Sequence, residues 1–211
     1  SGEIILIVND DTIPSKNLIK EHVLYHLKYL EDNYGILGFF TWSPEIKITP
    51  FMKWLESRGP QFSYSKIKGE RAEWYHFWTC NLSVKKNFLL NFGLFDESFP
   101  YAAWEDIELG YRLGKHGLKL VYNKNAVGYH YHPTSLISTL ERMKKHGHSI
   151  VILGKKIKDS LLPPLATPSI ANKLDLIDFN EQNINDLIED YRKDAYRTCV
   201  DLNYVCMDNV L

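Results

Sequence analysis

A short apolar run that ends in acidic residues constrains the fold of this chain more than any other feature. The run is EIILIV at residues 3–8, and Asn9, Asp10 and Asp11 follow it directly. A continuous apolar stretch rich in β-branched residues predicts a strand buried on both faces, as in a parallel sheet. In α/β sheets, ligands bind beyond the carboxyl ends of the strands. The sequence therefore predicts an α/β fold with a binding site at the end of its first strand.

Helical and strand patterns alternate along the rest of the N-terminal two thirds of the chain. Helices are predicted after Ser15, over 50–59, over 85–91, from about 105 to Gly117, and after Ser135. Strands are predicted over 36–42, 74–86, 118–123 and 126–132. Residues 1–134 form the predicted catalytic region, and residues 135–211 form a helical C-terminal extension with a linker at 159–168 and a surface-packed helix at 181–208.

Composition excludes several classes of protein. The chain has 211 residues, of which 45% are hydrophobic, so it can bury a sizeable core. Its net charge of −1 creates no overall field that would recruit nucleic acid. No apolar run approaches the roughly 20 residues needed to span a bilayer, and no segment resembles a signal peptide. The 3 cysteines lack metal-site spacing, which predicts reduced thiols and a cytoplasmic location.

The acidic pair Asp10 and Asp11 is the first candidate site. Carboxylates hold divalent cations through hard oxygen ligands, and a cation held there can bind a diphosphate. A turn that merely closes the strand would explain the same residues equally well.

The segment GYHYHP, residues 128–133, is the second candidate site. If 126–132 is a strand, His130 and His132 point to the same face of the sheet. Neutral imidazole is a good ligand for metals such as Mn²⁺. A purely structural role for one of the two histidines stays open.

Trp104, Glu105 and Asp106 form the third candidate site, at the start of a predicted helix. Acidic residues are favoured in a first turn by the helix dipole, which explains them without any function. An Asp at this position stays ionised and suits a general base. The ring of Trp104 could stack on a sugar, but core packing would explain it equally well.

In order and character, these sites resemble the family 2 glycosyltransferases with the GT-A fold. The resemblance covers residues 2–134 and rests on VNDDTIPS, TCNLSVKKNFLLNFGLFDESF, WEDIELGYRLGKHG and AVGYHYH. It implies a Rossmann-like mixed sheet flanked by helices. It also implies inverting, metal-dependent transfer of a sugar from a nucleotide-sugar donor to a saccharide or glycolipid hydroxyl, as in polysaccharide biosynthesis. The implied metal is Mn²⁺ or Mg²⁺.

The resemblance also implies roles for single residues. On the acceptor side, Asp106 is the general base, and the predicted acceptor contacts are Trp104, Glu105 and Asn81. Asn81 and its neighbour Ser83 could instead simply bond to backbone.

On the donor side, the resemblance makes Asp11 a metal ligand together with His130 or His132, while Asp10 faces the ribose or donor sugar. Asn9 stands where the family's acidic motif begins with Asp. Because the chain starts at the metal-binding strand, we expect it to lack the N-terminal part of the nucleotide-binding half.

Two other functions stay open. A sugar nucleotidyltransferase also uses acidic metal ligands on an α/β sheet, although no Gly-rich phosphate loop is visible. A non-catalytic carbohydrate- or nucleotide-binding module is the other alternative.

A lysine-rich segment at 141–159 raises a separate question. The segment predicts either a solvated helix face or a peripheral contact with a partner or an anionic membrane. A membrane contact would place the protein at the inner face of that membrane.

Overall fold

A mixed β-sheet with flanking helices forms the centre of the described fold. The computed structural model describes residues 2–57, 61 and 63–157. Over these residues the strands are β1 (Ile4–Val8), β2 (Thr12–Pro14), β3 (Tyr34–Trp42), β4 (Arg71–Ala72), β5 (Asn81–Lys85) and β6 (Lys119–His130). Their order is β1-β5-β3-β6-β2, and β4 also pairs with β6. The α/β fold with a mixed sheet predicted from the sequence is confirmed.

The direction of β1 differs from the prediction. β1 pairs with β5 in an antiparallel ladder, and most of its residues are half-buried. Within the described sheet, β3 and β6 form the parallel pair. The prediction of a first strand buried on both faces of a parallel sheet is therefore wrong. An apolar β-branched run indicates an extended backbone, but it carries no information on the direction of the partner strand.

The helices follow the predicted pattern with shifted ends: α1 (Leu18–Lys28), α2 (Pro50–Ser57), α3 (Lys86–Phe92), α4 (Glu105–Lys115) and α5 (Leu136–Lys156). Ser135 caps α5 as its position predicts, because its hydroxyl oxygen accepts a hydrogen bond from the backbone N–H of Ser138 at 3.2 Å. The predicted linker at 159–168 and the helix at 181–208 lie outside the described residues.

Three predicted strands have a different extent in the structure. Residues 118–132 contain two predicted strands, but β6 is continuous from Lys119 to His130. Residues 74–86 are predicted as one strand, but the ladder begins only at Asn81. The preceding Trp74–His76 segment is a 3-10 turn, which Glu73 and His76 close through reciprocal bonds between side chain and backbone. Local capping bonds therefore determine the structure of residues 74–76, although their apolar residues alternate loosely as in a strand.

The described chain divides into two compact units. Of the described residues, the first unit contains those within 2–95 and 109–133, and the second contains 96–108 and 134–157. The core of the first unit is built from fully buried side chains of the sheet and of α4, among them Leu37, Leu82, Val84, Leu109 and Leu113. The Trp104-Glu105-Asp106 motif belongs to the second unit, whereas the sequence grouped it with residues 1–134.

Candidate active site

The acidic pair lies in the turn that joins β1 to β2. The backbone N–H of Thr12 donates a hydrogen bond to the carbonyl of Asn9 at 3.2 Å, which closes the turn. Asp10 is exposed in this turn, whereas Asp11 is partly buried. The strand-closing turn, which was the other explanation for Asp10 and Asp11, is therefore present in the structure. It does not account for the direction of the Asp11 side chain, which contacts two histidines at the end of the neighbouring strand β6.

Asp11, His130 and His132 come together at the end of β6. The Oδ2 atom of Asp11 lies 3.1 Å from Nε2 of His130 and 3.4 Å from Nδ1 of His132. One potential ligand atom from each of the three residues lies within 4.8 Å of the others. The structure therefore brings together the three residues that the sequence proposed as metal ligands.

Backbone pairing holds this cluster in place. β2 is antiparallel to β6 with Thr12 opposite His130. One residue further on, the N–H of Tyr131 donates to the carbonyl of Asp11 at 2.9 Å. The strand ends at His130, so the predicted strand over 126–132 is two residues too long. Pro133 has no N–H for a ladder bond, which favours an end of the strand at this point.

The two imidazoles have unequal environments although their rings stack, with centroids 5.3 Å apart. The His130 ring also stacks on the indole of Trp42 at 5.2 Å. The His130 side chain is 8% exposed and that of His132 is 57% exposed. The cluster therefore has one rigid aromatic wall and one side that is open to solvent.

The donor set fits a divalent cation. One carboxylate and two imidazoles can occupy part of the coordination shell of Mn²⁺ or Mg²⁺ and leave positions for phosphate oxygens, although imidazole suits Mn²⁺ better. The second carboxylate oxygen of Asp11, Oδ1, is buried and accepts no hydrogen bond from the described residues. A buried carboxylate oxygen without a donor is costly unless a cation or water meets it.

In the second unit, Trp104 occupies a strained position directly before α4. Its backbone has a φ of 70°, in the left-handed region that few residues other than glycine adopt. Its indole N–H is buried and has no hydrogen-bond acceptor among the described residues. Its ring and that of His146 of α5 form a T-shaped pair with centroids 6.3 Å apart. Backbone strain and an unpaired donor are features that cluster at functional sites.

The two acidic residues of this motif start α4, as the sequence predicted, and their surroundings differ. Burial raises the pKa of Glu105, and backbone hydrogen bonds at Glu105 and Ala103 oppose that rise. The Oε2 atom of Glu105 is buried without a described partner. The Oδ1 atom of Asp106 accepts a hydrogen bond from the N–H of Ile107 at 2.8 Å. Hydrogen bonding to a carboxylate stabilises its ionised form.

Asn81 lies in the interior and does not have the geometry of an acceptor contact. Its side chain is 0% exposed. Its amide donates to the carbonyls of Phe39 and Ala126 and pairs with Nε2 of His22. The structure agrees with the alternative role, in which the Asn81 side chain hydrogen-bonds to the backbone. The sequence motifs did not identify His22 as part of this arrangement, although His22 and His26 recur four residues apart on the buried face of α1.

Two known proteins that resemble part of this chain are glycosyltransferases. No protein-family model matches the chain. The validoxylamine A glucosyltransferase of Streptomyces hygroscopicus subsp. jinggangensis is 42% identical over 75 residues, which are 35% of this chain and 18% of that protein. The uncharacterized glycosyltransferase YfnE of Bacillus subtilis is 37% identical over 70 residues, 33% of this chain and 18% of that protein. The matched segment is thus less than a fifth of either relative. These relatives confirm the resemblance to glycosyltransferases.

A structural comparison adds one neighbour. The solved structure of GalNAc-T7 with UDP, GalNAc and Mn²⁺ matches with a TM-score of 0.47 and 13% identity, covering 92% of this chain and 38% of that chain. Among the described helices, none combines the length and the apolar character needed to cross a bilayer.

Proposed function

We propose that this chain carries the metal-binding and acceptor-side parts of an inverting glycosyltransferase of family 2 type with a GT-A fold. The proposed reaction moves a sugar from a nucleotide-sugar donor to a hydroxyl of a saccharide or glycolipid. The convergence of Asp11, His130 and His132, in a chain whose relatives are glycosyltransferases, is the observation that carries this proposal.

On the donor side, Asp11, His130 and His132 would hold Mn²⁺ or Mg²⁺. When bound, such an ion neutralises the charge that develops on the departing nucleoside diphosphate. The aromatic wall of Trp42 fixes the orientation of the His130 ring, so the donor atom is positioned before the ion arrives. Asp10, which is exposed beside Asp11, would contact the ribose or the donor sugar.

On the acceptor side, Asp106 is the proposed general base. Its carboxylate takes the proton of the acceptor hydroxyl while that oxygen attacks the anomeric carbon from the face opposite the leaving group. The new glycosidic bond forms as the bond from the anomeric carbon to the diphosphate breaks, which inverts the configuration. Glu105, whose pKa burial raises, orients the acceptor, and Trp104 supplies a platform for the sugar.

The products of the reaction test this proposal. The full chain is incubated with Mn²⁺, a panel of nucleotide sugars and saccharide acceptors, and the released nucleotide is identified. Nucleoside diphosphate together with a glycosylated acceptor is the expected result. Pyrophosphate would instead indicate a sugar nucleotidyltransferase. Metal-dependent nucleotide binding without either product would indicate a binding module.

A peripheral membrane contact is a further part of the proposal for glycolipid acceptors. On α5, Lys144 and Lys145 are exposed, whereas Met143, Ile150 and Leu153 are buried. Because the apolar face of the helix is already covered, such a contact would be electrostatic and sensitive to salt. Co-sedimentation with anionic vesicles that is lost in K144E/K145E would support it, and binding unchanged by these reversals would exclude it. A cytoplasmic location at the inner face of the membrane belongs to the same proposal.

A further inference from the structure

The parallel ladder between β3 and β6 breaks in the middle of the sheet. Gly38 of β3 pairs with Asn123, but the next residue, Phe39, pairs with Val127. Residues 124–126 of β6 therefore have no partner position on β3. Such an irregularity leaves backbone carbonyls that need hydrogen-bond donors from elsewhere, because buried unpaired backbone groups are costly.

The side chain of Asn81 fills this break. Its Nδ2 atom donates to the carbonyl of Phe39 at 2.9 Å and to the carbonyl of Ala126 at 2.8 Å. These bonds use both hydrogens of the amide, and they join the two strands where the ladder does not. A Cβ atom on Gly38 would lie 2.2 Å from Nδ2 of Asn81, so only glycine at this position leaves room for the amide.

A buried chain of hydrogen bonds fixes the orientation of this amide. Because Nδ2 of Asn81 donates twice, Oδ1 is the acceptor, so Nε2 of His22 carries the proton of their 2.9 Å bond. Nδ1 of His22 then accepts from the hydroxyl of Ser83 at 2.7 Å, and the Ser83 oxygen pairs with Nε2 of His26 at 2.9 Å. Burial holds the pKa of His22 below its ordinary value, so the ring stays neutral and keeps this single tautomer.

Asn81 touches both strands that lead into the Asp11–His130–His132 cluster. Along β5 it pairs with Val8, the last residue of β1 before the turn that carries Asp11. Through its side chain it holds Ala126, directly before the stretch of β6 that ends in His130. A change in the register of that stretch would move His130 away from Asp11 or turn it to the other face of the sheet.

We infer that Asn81, oriented by His22, is a positioning residue that sets the register of β6 and thereby places His130 against Asp11. The role in metal binding rests on the proposed function; the role in aligning the two strands does not. Asn81 acts only through the backbone and would touch neither metal nor substrate.

Two measurements on the full chain separate positioning from general stabilisation. The first is hydrogen exchange of the Tyr131 amide, whose N–H donates to Asp11. The second is Mn²⁺ affinity, followed by the EPR signal of the free ion. Asn81→Ala is compared with Val84→Ala, a fully buried residue of the same strand that pairs with Ile5 and Gly35, away from the break. Both variants are studied at a temperature where circular dichroism shows them folded.

Asn81→Ala should accelerate Tyr131 exchange by about fivefold or more, as expected for the loss of hydrogen bonds next to the ladder. It should weaken Mn²⁺ binding by about tenfold or more, as for the loss of an outer partner of a metal ligand. Val84→Ala should lower the Tm yet leave both quantities near those of the native chain. His22→Gln, whose amide can replace the Nε2 donor, should retain more Mn²⁺ affinity than His22→Leu.

Equal behaviour of Asn81→Ala and Val84→Ala in both measurements would overturn the inference. If Asn81→Ala does not fold, the two His22 variants make the same test with Asn81 in place, and identical results for them would overturn it. If the native chain binds no Mn²⁺, the proposed metal site fails, while the exchange of Tyr131 still decides whether Asn81 aligns the strands.

Discussion

The imidazole of His130 lies 3.1 Å from the carboxylate of Asp11, although 119 positions separate the two residues in the chain. The antiparallel pairing of β2 with the end of β6 brings them together, with Thr12 opposite His130. Backbone pairing, rather than a chance meeting of side chains, thus determines this contact. His130 is fixed on a paired strand, and the bond from the Tyr131 N–H to the Asp11 carbonyl holds the adjoining turn against it.

The charge of Asp11 is the first feature to test. Asp11→Asn keeps the shape of the side chain but removes the charge and one anionic ligand. We expect Mn²⁺ affinity to fall by more than about 100-fold, because loss of a direct ligand exceeds the roughly 10- to 100-fold cost of losing an outer partner. Isothermal titration measures this. Asp10→Asn, an exposed carboxylate in the same turn, is the matched control, and an equal loss in both variants would contradict a specific role for Asp11.

The two carboxylates at the start of α4 should respond differently to neutralisation. Asp106→Asn preserves shape and removes basicity, so kcat should fall by about 10²- to 10⁴-fold with donor binding little changed. Glu105→Gln should instead raise KM for the acceptor more than it lowers kcat. Steady-state kinetics of the active enzyme give both quantities. If Asp106→Asn keeps a near-normal kcat and Glu105→Gln loses most of its kcat, Glu105 and not Asp106 is the general base.

The left-handed backbone of Trp104 predicts an unusual order of stability. Trp104→Gly and Trp104→Ala remove the same ring, but only glycine adopts a φ of 70° without strain. The Gly variant should be more stable than the Ala variant by about 1 kcal/mol, the order of the left-handed penalty for a residue with a Cβ atom. Urea denaturation measures the difference in the free energy of unfolding. Greater stability of the Ala variant would mean that this backbone conformation is not maintained.

Buried neutral histidines predict that stability falls in mild acid. Burial is the main cause that lowers the pKa of His26 to about 4, and electrostatic interactions with Lys85 and His22 lower it further. Since an unfolded histidine has a pKa near about 6.5, the unfolded chain binds more protons below that pH. The contribution of His26 to stability is therefore complete above about pH 6.5, and it falls progressively as the pH drops toward about 4.

His26→Gln tests this pH dependence, because it keeps a donor for Ser83 but cannot be protonated. The free energy of unfolding should depend less steeply on pH in this variant between about pH 6.5 and about pH 4, by at most about 1.4 kcal/mol per pH unit for one group. The pH dependence of the free energy of unfolding that remains in this variant should come from His22, His76 and His146, whose pKa values burial also lowers. An unchanged slope would show that His26 is not neutral in the folded chain.

Local patterns predicted the parts of this protein that depend on local physics. The Ser135 cap, the strand that ends at Trp42 and the acidic start of α4 follow from short-range rules of capping and periodicity. The approach of His130 to Asp11 could be anticipated only through the family resemblance and the alternation of side chains along a strand. The direction of β1 relative to its partner strand could not be predicted, since no residue in EIILIV specifies that partner.

The structural role of Asn81 could not be predicted from the sequence for a related reason. Its amide satisfies carbonyls of Phe39 and Ala126, which lie 42 and 45 positions away in the chain. A break in the register of two parallel strands depends on the whole sheet and leaves no mark in local composition. The glycine at position 38 is compatible with such a close approach, but a strand glycine is equally compatible with a bulge or a tight bend.

Joint binding of a divalent cation and a nucleoside diphosphate by Asp11, His130 and His132 underlies the whole proposed mechanism, and Mn²⁺ titration is its sharpest test. The native chain is titrated with Mn²⁺ in the absence and presence of a nucleoside diphosphate, and each ligand's affinity is measured at saturation of the other. We predict that each ligand tightens the binding of the other by the same factor, as thermodynamic linkage requires, and that D11N/H130Q abolishes this coupling. Nucleoside diphosphate binding that is independent of Mn²⁺ in the native chain, or coupling that persists in the double variant, would contradict the proposed site.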